Sequence, residues 1–143
     1  MRKKINIDAS KELVKLYRSI TYEQVQSHIS LLQINYPALS EDYFIQTVIR
    51  QLTGFGTTHC SLCVSADKLR LEDLNGSVNK CHHCIYCNNN NHVTYTFCKY
   101  DYYNTYESIE NAKSIEELIT AINKRADLLE SLINKIENDG KTK

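Results

Sequence analysis

Apolar positions recur at helical spacing over both ends of this chain and lose that period in the middle. Over 8–20, Leu13, Leu16, Tyr17 and Ile20 share one face of a short amphipathic helix. Thr21-Tyr22-Glu23-Gln24 reads as a capping box: the threonine hydroxyl accepts from the amide three residues on, and Gln24 reaches back. The helix it opens runs to about Asn35 with Val25, Ile29 and Leu32 inward. Pro37 forbids its continuation. Ser40 caps a third helix, with Glu41 and Asp42 where the macrodipole favours negative charge. Phe44, Val48 and Leu52 form its apolar face with Ile45 and Ile49 alongside, and Gly54-Phe55-Gly56 is its stop.

The C-terminal part is equally periodic. Tyr100, Tyr102, Tyr103 and Tyr106 lead into a helix through Ala112, and Ser114-Ile115-Glu116-Glu117 forms a second capping box. Ile115, Ile119, Ile122, Ala126, Leu129, Ile133 and Ile136 then follow in alternating steps of four and three, widened by Leu118 and Leu132. Asp139-Gly140 marks the expected end. This stripe reads as intramolecular core, with a homodimer through the same helix as the alternative.

Between 54 and 98 different chemistry takes over. All six cysteines lie here, at 60, 63, 81, 84, 87 and 98, together with His59, His82, His83 and His92. Cys60-x2-Cys63 and Cys81-x2-Cys84, seventeen residues apart, have zinc-ribbon spacing. A structural zinc needs four soft, deprotonated donors in a tetrahedron, and each pair supplies two thiolates. Cys84-x2-Cys87 overlaps the second pair. Cys81 and Cys84 are favoured because Cys87 would begin the Asn88–Asn91 turn. Val93, Tyr95 and Phe97 alternate with Thr94, Thr96 and Cys98, the period of a half-buried strand. A hairpin across the asparagine run would return Cys98 to the site, so Cys87 and Cys98 stand as substitutes. Thr57–Cys63 is the expected first knuckle, and Ala66–Leu74 a helical turn. A second metal on Cys87, Cys98 and two histidines is not fixed by the spacing. The ferredoxin run lacks its fourth cysteine and its proline.

Enzyme motifs are absent where they would be needed. A zinc deaminase requires H-x-E, but Ser61 and Cys84 stand at the glutamate position after His59 and His82. H-E-x-x-H is missing. A thioredoxin-like role for Cys60-x2-Cys63 would need a βαβ setting, and three helices precede it. The histidines read as surface residues or as supports behind the ligands. The rival is a metal-dependent hydrolase or nuclease using His59, His82 or His83, which requires an open coordination position. The question of catalysis stays open, leaning against an enzyme.

Composition narrows the partner. The chain has 143 residues and seventeen each of Lys plus Arg and Asp plus Glu. That neutrality disfavours a protein built to grip a polyphosphate backbone. Tyr95, Tyr100, Tyr102, Tyr103 and Tyr106 could stack on single-stranded bases or anchor a protein partner. Without interleaved basic residues the protein partner is favoured; the plain alternative is that about half of them pack internally. No export signal and no run of roughly 18 apolar residues is present. The expected setting is a reducing cytoplasm, where cysteine pairs hold metal in preference to disulfides. The expected organisation is one domain over 1–143: N-terminal helices over 8–53, a zinc-knuckle and hairpin region over 54–98, C-terminal helices over 99–138.

The order Thr58-His59-Cys60-Ser61-Leu62-Cys63, Cys81-His82-His83-Cys84-Ile85-Tyr86, Phe97-Cys98 and Tyr103/Tyr106 before a helix resembles a group of small phage and bacterial proteins. Those carry C-x-L-C, then C-x-x-C with two apolar residues, a further cysteine and a tyrosine-containing helix. The resemblance spans 57–133 and leaves the N-terminal helices unmatched. It implies Cys60, Cys63, Cys81 and Cys84 as ligands with Cys98 as the further cysteine, and it carries no activity. Ile85-Tyr86 replaces a pair that often contains proline, and Cys87 is extra. A phage origin would make a host protein, including a defence component, the target. The expectation is therefore a mainly α-helical domain with an inserted zinc knuckle or ribbon and a short β-hairpin. Zn2+ is structural, and the role is that of an adaptor or inhibitor.

Overall fold

The structure is a computed structural model that describes residues 5–55, 61–72, 84–85 and 104–141. It contains α1 (Ile7–Ser19), α2 (Tyr22–Asn35), α3 (Glu41–Thr53), α4 (Ser61–Glu72), α5 (Thr105–Glu110) and α6 (Ile115–Lys141). The described residues are mainly helical and contain no strand. The hairpin expected over Val93–Cys98 lies outside them, as does most of the expected knuckle region.

The spine is α6. Its 27 residues extend about 40 Å at the helical rise. Ile115, Leu118, Ile122, Ala126 and Leu129 are buried against α1, α5 and α2. Full burial of a leucine or isoleucine stabilises by about 1.5–3 kcal/mol, so this stripe is a large apolar contribution among the described residues. It is covered within the chain, which leaves the alternative of a homodimer through this helix unsupported. The helix also continues through Asp139-Gly140 to Lys141. Glycine weakens a helix without forbidding it, and here it ends nothing.

In α1, Ser10, Leu13, Val14 and Tyr17 form the buried face, and Leu16 lies on the more exposed side. Along the rim of the α1–α6 contact, Arg18 donates to Asp127 at 2.6 Å, Glu130 at 3.2 Å and Asn123 at 3.4 Å. The hydrogen bond to Asp127 and then that to Glu130 raise the Arg18 pKa above its already high value. Such solvent-exposed pairs contribute about 1 kcal/mol or less. They set register; burial supplies the stability.

Local signals explain the remaining boundaries. Thr21 Oγ1 accepts from the Gln24 amide at 3.1 Å, and Ser114 Oγ from the Glu117 amide at 3.1 Å. The Glu117 carboxylate folds back onto the Lys113 amide at 2.9 Å, completing a box displaced by one residue. Ser40 occupies the cap of α3, but its hydroxyl makes no capping bond. Gly54, at φ 70°, ends α3 in the left-handed conformation that glycine adopts without a Cβ clash. Thr53 Oγ1 then accepts from the Phe55 amide at 3.2 Å and turns Phe55 into the core. Buried side chains from all six helices, with Phe55, Cys84 and Ile85, form one continuous apolar cluster.

Candidate metal centre

Of the proposed ligands, Cys63 and Cys84 are described; Cys60, Cys81, Cys87 and Cys98, and His59, His82 and His83, lie outside the described residues. Cys63 sits in the first turn of α4, a full helix of 12 residues where the sequence suggested a knuckle followed by a helical turn. Cys63 is thus carried by the start of a helix. Backbone N–H groups there favour negative charge, which suits a thiolate donor. Cys63 is half-buried and Cys84 is buried. Among the described residues no group of three or more His, Cys, Asp or Glu is placed to hold a metal.

One residue that the sequence did not single out joins these two cysteine segments. Asn6 precedes α1 and is 4% exposed. Its side chain caps nothing in its own helix. Instead Nδ2 donates to the Leu62 carbonyl at 2.8 Å and to Ser65 Oγ at 3.0 Å, while Oδ1 accepts from the Ile85 amide at 2.9 Å. Leu62 is the neighbour of Cys63, and Ile85 the neighbour of Cys84. One carboxamide thus touches the backbone beside a member of each C-x2-C pair. The Asn6 carbonyl is itself held by the Ser10 amide at 3.0 Å and Ser10 Oγ at 2.7 Å. Leu62 and Ala66 on α4, with Ile85, are buried in the common core. An asparagine before a helix reads locally as a cap, so only the fold reveals these partners.

The tyrosine cluster divides. Tyr100, Tyr102 and Tyr103 lie outside the described residues, whereas Tyr106 on α5 is 7% exposed and belongs to the core. Its ring lies 4.5 Å from that of Phe55 with a 30° tilt, and the Arg125 guanidinium lies 5.5 Å from its centroid. Arg125 is buried too, with Nη1 donating to Thr105 Oγ1 at 2.9 Å. Tyr106 is thereby withdrawn from the expected partner-facing surface: α3 delivers Phe55 against it. Arg125 did carry a sequence signal, since it falls three residues after Ile122 and four before Leu129 on the buried face.

A groove of about 480 Å³ between α1 and α6 is lined by residues including Lys11, Lys15, Glu130 and Glu137, with Lys11 and Glu137 paired at 3.1 Å. It brings none of the candidate metal ligands together. No helix among the described residues is long and apolar enough to cross a membrane. No family model, curated protein or solved structure matches this chain.

Proposed function

We propose that the protein is a non-enzymatic interaction protein, an adaptor or inhibitor, whose cysteine region is braced by one structural Zn2+. Cys60, Cys63, Cys81 and Cys84 are the ligands in this reading, with Cys87 or Cys98 able to replace a member of the second pair. The observation that carries it is the shared Asn6 contact, which links the backbone beside Cys63 to that beside Cys84. Zinc favours such thiolate donors, and a site with four protein ligands is closed to catalysis.

The interaction half rests on the α2–α3 end of the molecule. Ile34 is 76% exposed, Leu31 63% and Tyr43 61%, with Tyr36 and Leu39 in the connecting turn also exposed. Between Arg18 and Arg50 the chain has no lysine or arginine, whereas Glu41 and Asp42, in the first turn of α3 next to the connecting turn, are exposed. Apolar and tyrosine side chains without lysine are the composition of an interface centre. The acidic rim selects a protein partner with an apolar face bordered by basic residues. Tyr100, Tyr102 and Tyr103 remain in the proposed partner surface; nucleic acid is disfavoured by the same charge pattern. A cytoplasmic setting and a host protein as target, including a defence component, complete the proposal.

Native mass spectrometry with and without a chelator tests the metal half. One zinc per chain is expected, and its removal unfolds the cysteine region. Cys60→Ser loses zinc and that structure together. A folded, zinc-loaded Cys60→Ser chain refutes the ligand set. Two metals, or one removed without unfolding, would bring forward the hydrolase or nuclease using His59, His82 or His83.

A further inference from the structure

We propose that Asn6 is a positioning residue for the metal centre, holding the Cys63-bearing helix and the Cys84-bearing segment in one frame; this rests on the zinc reading above. The geometry calls for an amide. One planar group must donate to the Leu62 carbonyl and Ser65 Oγ while accepting from the Ile85 N–H. A carboxylate would offer two acceptors, set a negative charge against the Leu62 carbonyl and leave the donor role unfilled. An alkyl side chain would fill neither role.

The distances in sequence show what the contact accomplishes. Asn6 lies 56 residues from Leu62 and 79 from Ile85, so local structure cannot establish either bond. Its own backbone is fixed by two bonds from Ser10, which makes the start of α1 a rigid mount. The direction of each cysteine Cα–Cβ bond follows the backbone at 63 and 84, one peptide from the Asn6 contacts. Metal geometry tolerates errors of only about 0.5 Å in donor position. Supports behind metal ligands typically change affinity by about 10–100-fold when removed. Asn6 acts through the backbone beside the ligands, without touching the metal.

Cobalt substitution of the full chain tests this, because Co2+ in a tetrahedral thiolate site has intense visible and charge-transfer bands. Competition with Zn2+ then gives the affinity. Asn6→Ala and Asn6→Asp are expected to lose about 10–100-fold in affinity for both ions. Ser65→Ala, which removes the Asn6 Nδ2–Ser65 Oγ bond and the Ser65 Oγ–Leu62 carbonyl bond but spares the other two Asn6 contacts, is expected to lose about fivefold, the worth of the one neutral hydrogen bond to Asn6. Val14→Ala, a buried change on the α6-facing side of the same helix, serves as the control for general destabilisation. It should keep the wild-type spectrum and an affinity within about threefold. Wild-type affinity and spectrum in Asn6→Ala overturn the inference alone, as does an equal loss in Val14→Ala. A wild-type chain that shows no tetrahedral cobalt spectrum overturns the zinc reading as well.

Discussion

Truncation of Tyr106 distinguishes a core residue from a partner-facing one. The ring is almost fully buried, lies 4.5 Å from Phe55, and has the Arg125 guanidinium 5.5 Å from its centroid. Replacing a buried aromatic by alanine costs about 3–5 kcal/mol through lost transfer energy and the cavity left behind. About 0.5–1.5 kcal/mol of that belongs to the ring pair, and a similar amount to the cation over the ring. With a urea dependence of about 2 kcal/mol/M for a chain of this size, Tyr106→Ala should lower the midpoint by about 2 M. The assay is urea unfolding followed by far-ultraviolet circular dichroism, with the slope checked for constancy. A cycle combining Tyr106→Leu with Arg125→Met should return a coupling of about 1 kcal/mol. A Tyr106→Ala change below about 0.5 kcal/mol, the range of an ordinary surface substitution, would refute the core placement.

Two further predictions concern the N-terminal helices. Thr21→Ala removes an observed capping bond and should cost about 1 kcal/mol, whereas Ser40→Ala should cost less than about 0.5 kcal/mol because the Ser40 hydroxyl makes none. Thermal unfolding of both variants checks this; equal losses would show that the cap position matters without its bond. The double change Leu31→Ser and Ile34→Glu should leave stability within about 0.5 kcal/mol at each site and shorten retention on a hydrophobic interaction column. A cooperative loss of structure would instead show that these side chains pack.

The helices were readable from sequence wherever a stripe of apolar residues repeated over several turns. α6 has such a stripe along most of its length, and α3 has Phe44, Ile45, Val48 and Ile49. α4 was not, because only Leu62 and Ala66 among its described side chains are buried, a two-residue stripe. The end of α6 was misplaced for a related reason: Gly140 has no left-handed turn to make there. Arg125 shows a signal that could have been used. A charge at a core position of a strict stripe must find polar or aromatic partners, and Thr105 and Tyr106 supply them.

Asn6 marks the limit of a local reading. Its residue type and position before α1 suggest a cap, and the competition between that cap and the three observed bonds is decided by segments far away in the chain. The magnitudes favour the distant partners. A cap contributes about 1 kcal/mol, whereas three neutral hydrogen bonds at about 1 kcal/mol each contribute about 3 kcal/mol. Satisfying the buried Ile85 N–H also avoids the penalty for leaving it bare, while the Leu62 carbonyl accepts from Ser65 Oγ as well. The same comparison ties the segments carrying Cys63 and Cys84 to the start of α1. Typical domains hold together by about 5–15 kcal/mol, so a contact of about 3 kcal/mol is a large share. α1 therefore has two tasks that meet at one residue: its apolar face seats α6, and its first carboxamide holds the two cysteine segments. On the zinc reading proposed above, a metal drawn into that frame would find part of the ordering cost already met, and the cobalt affinity of Asn6 variants would report on the coupling itself.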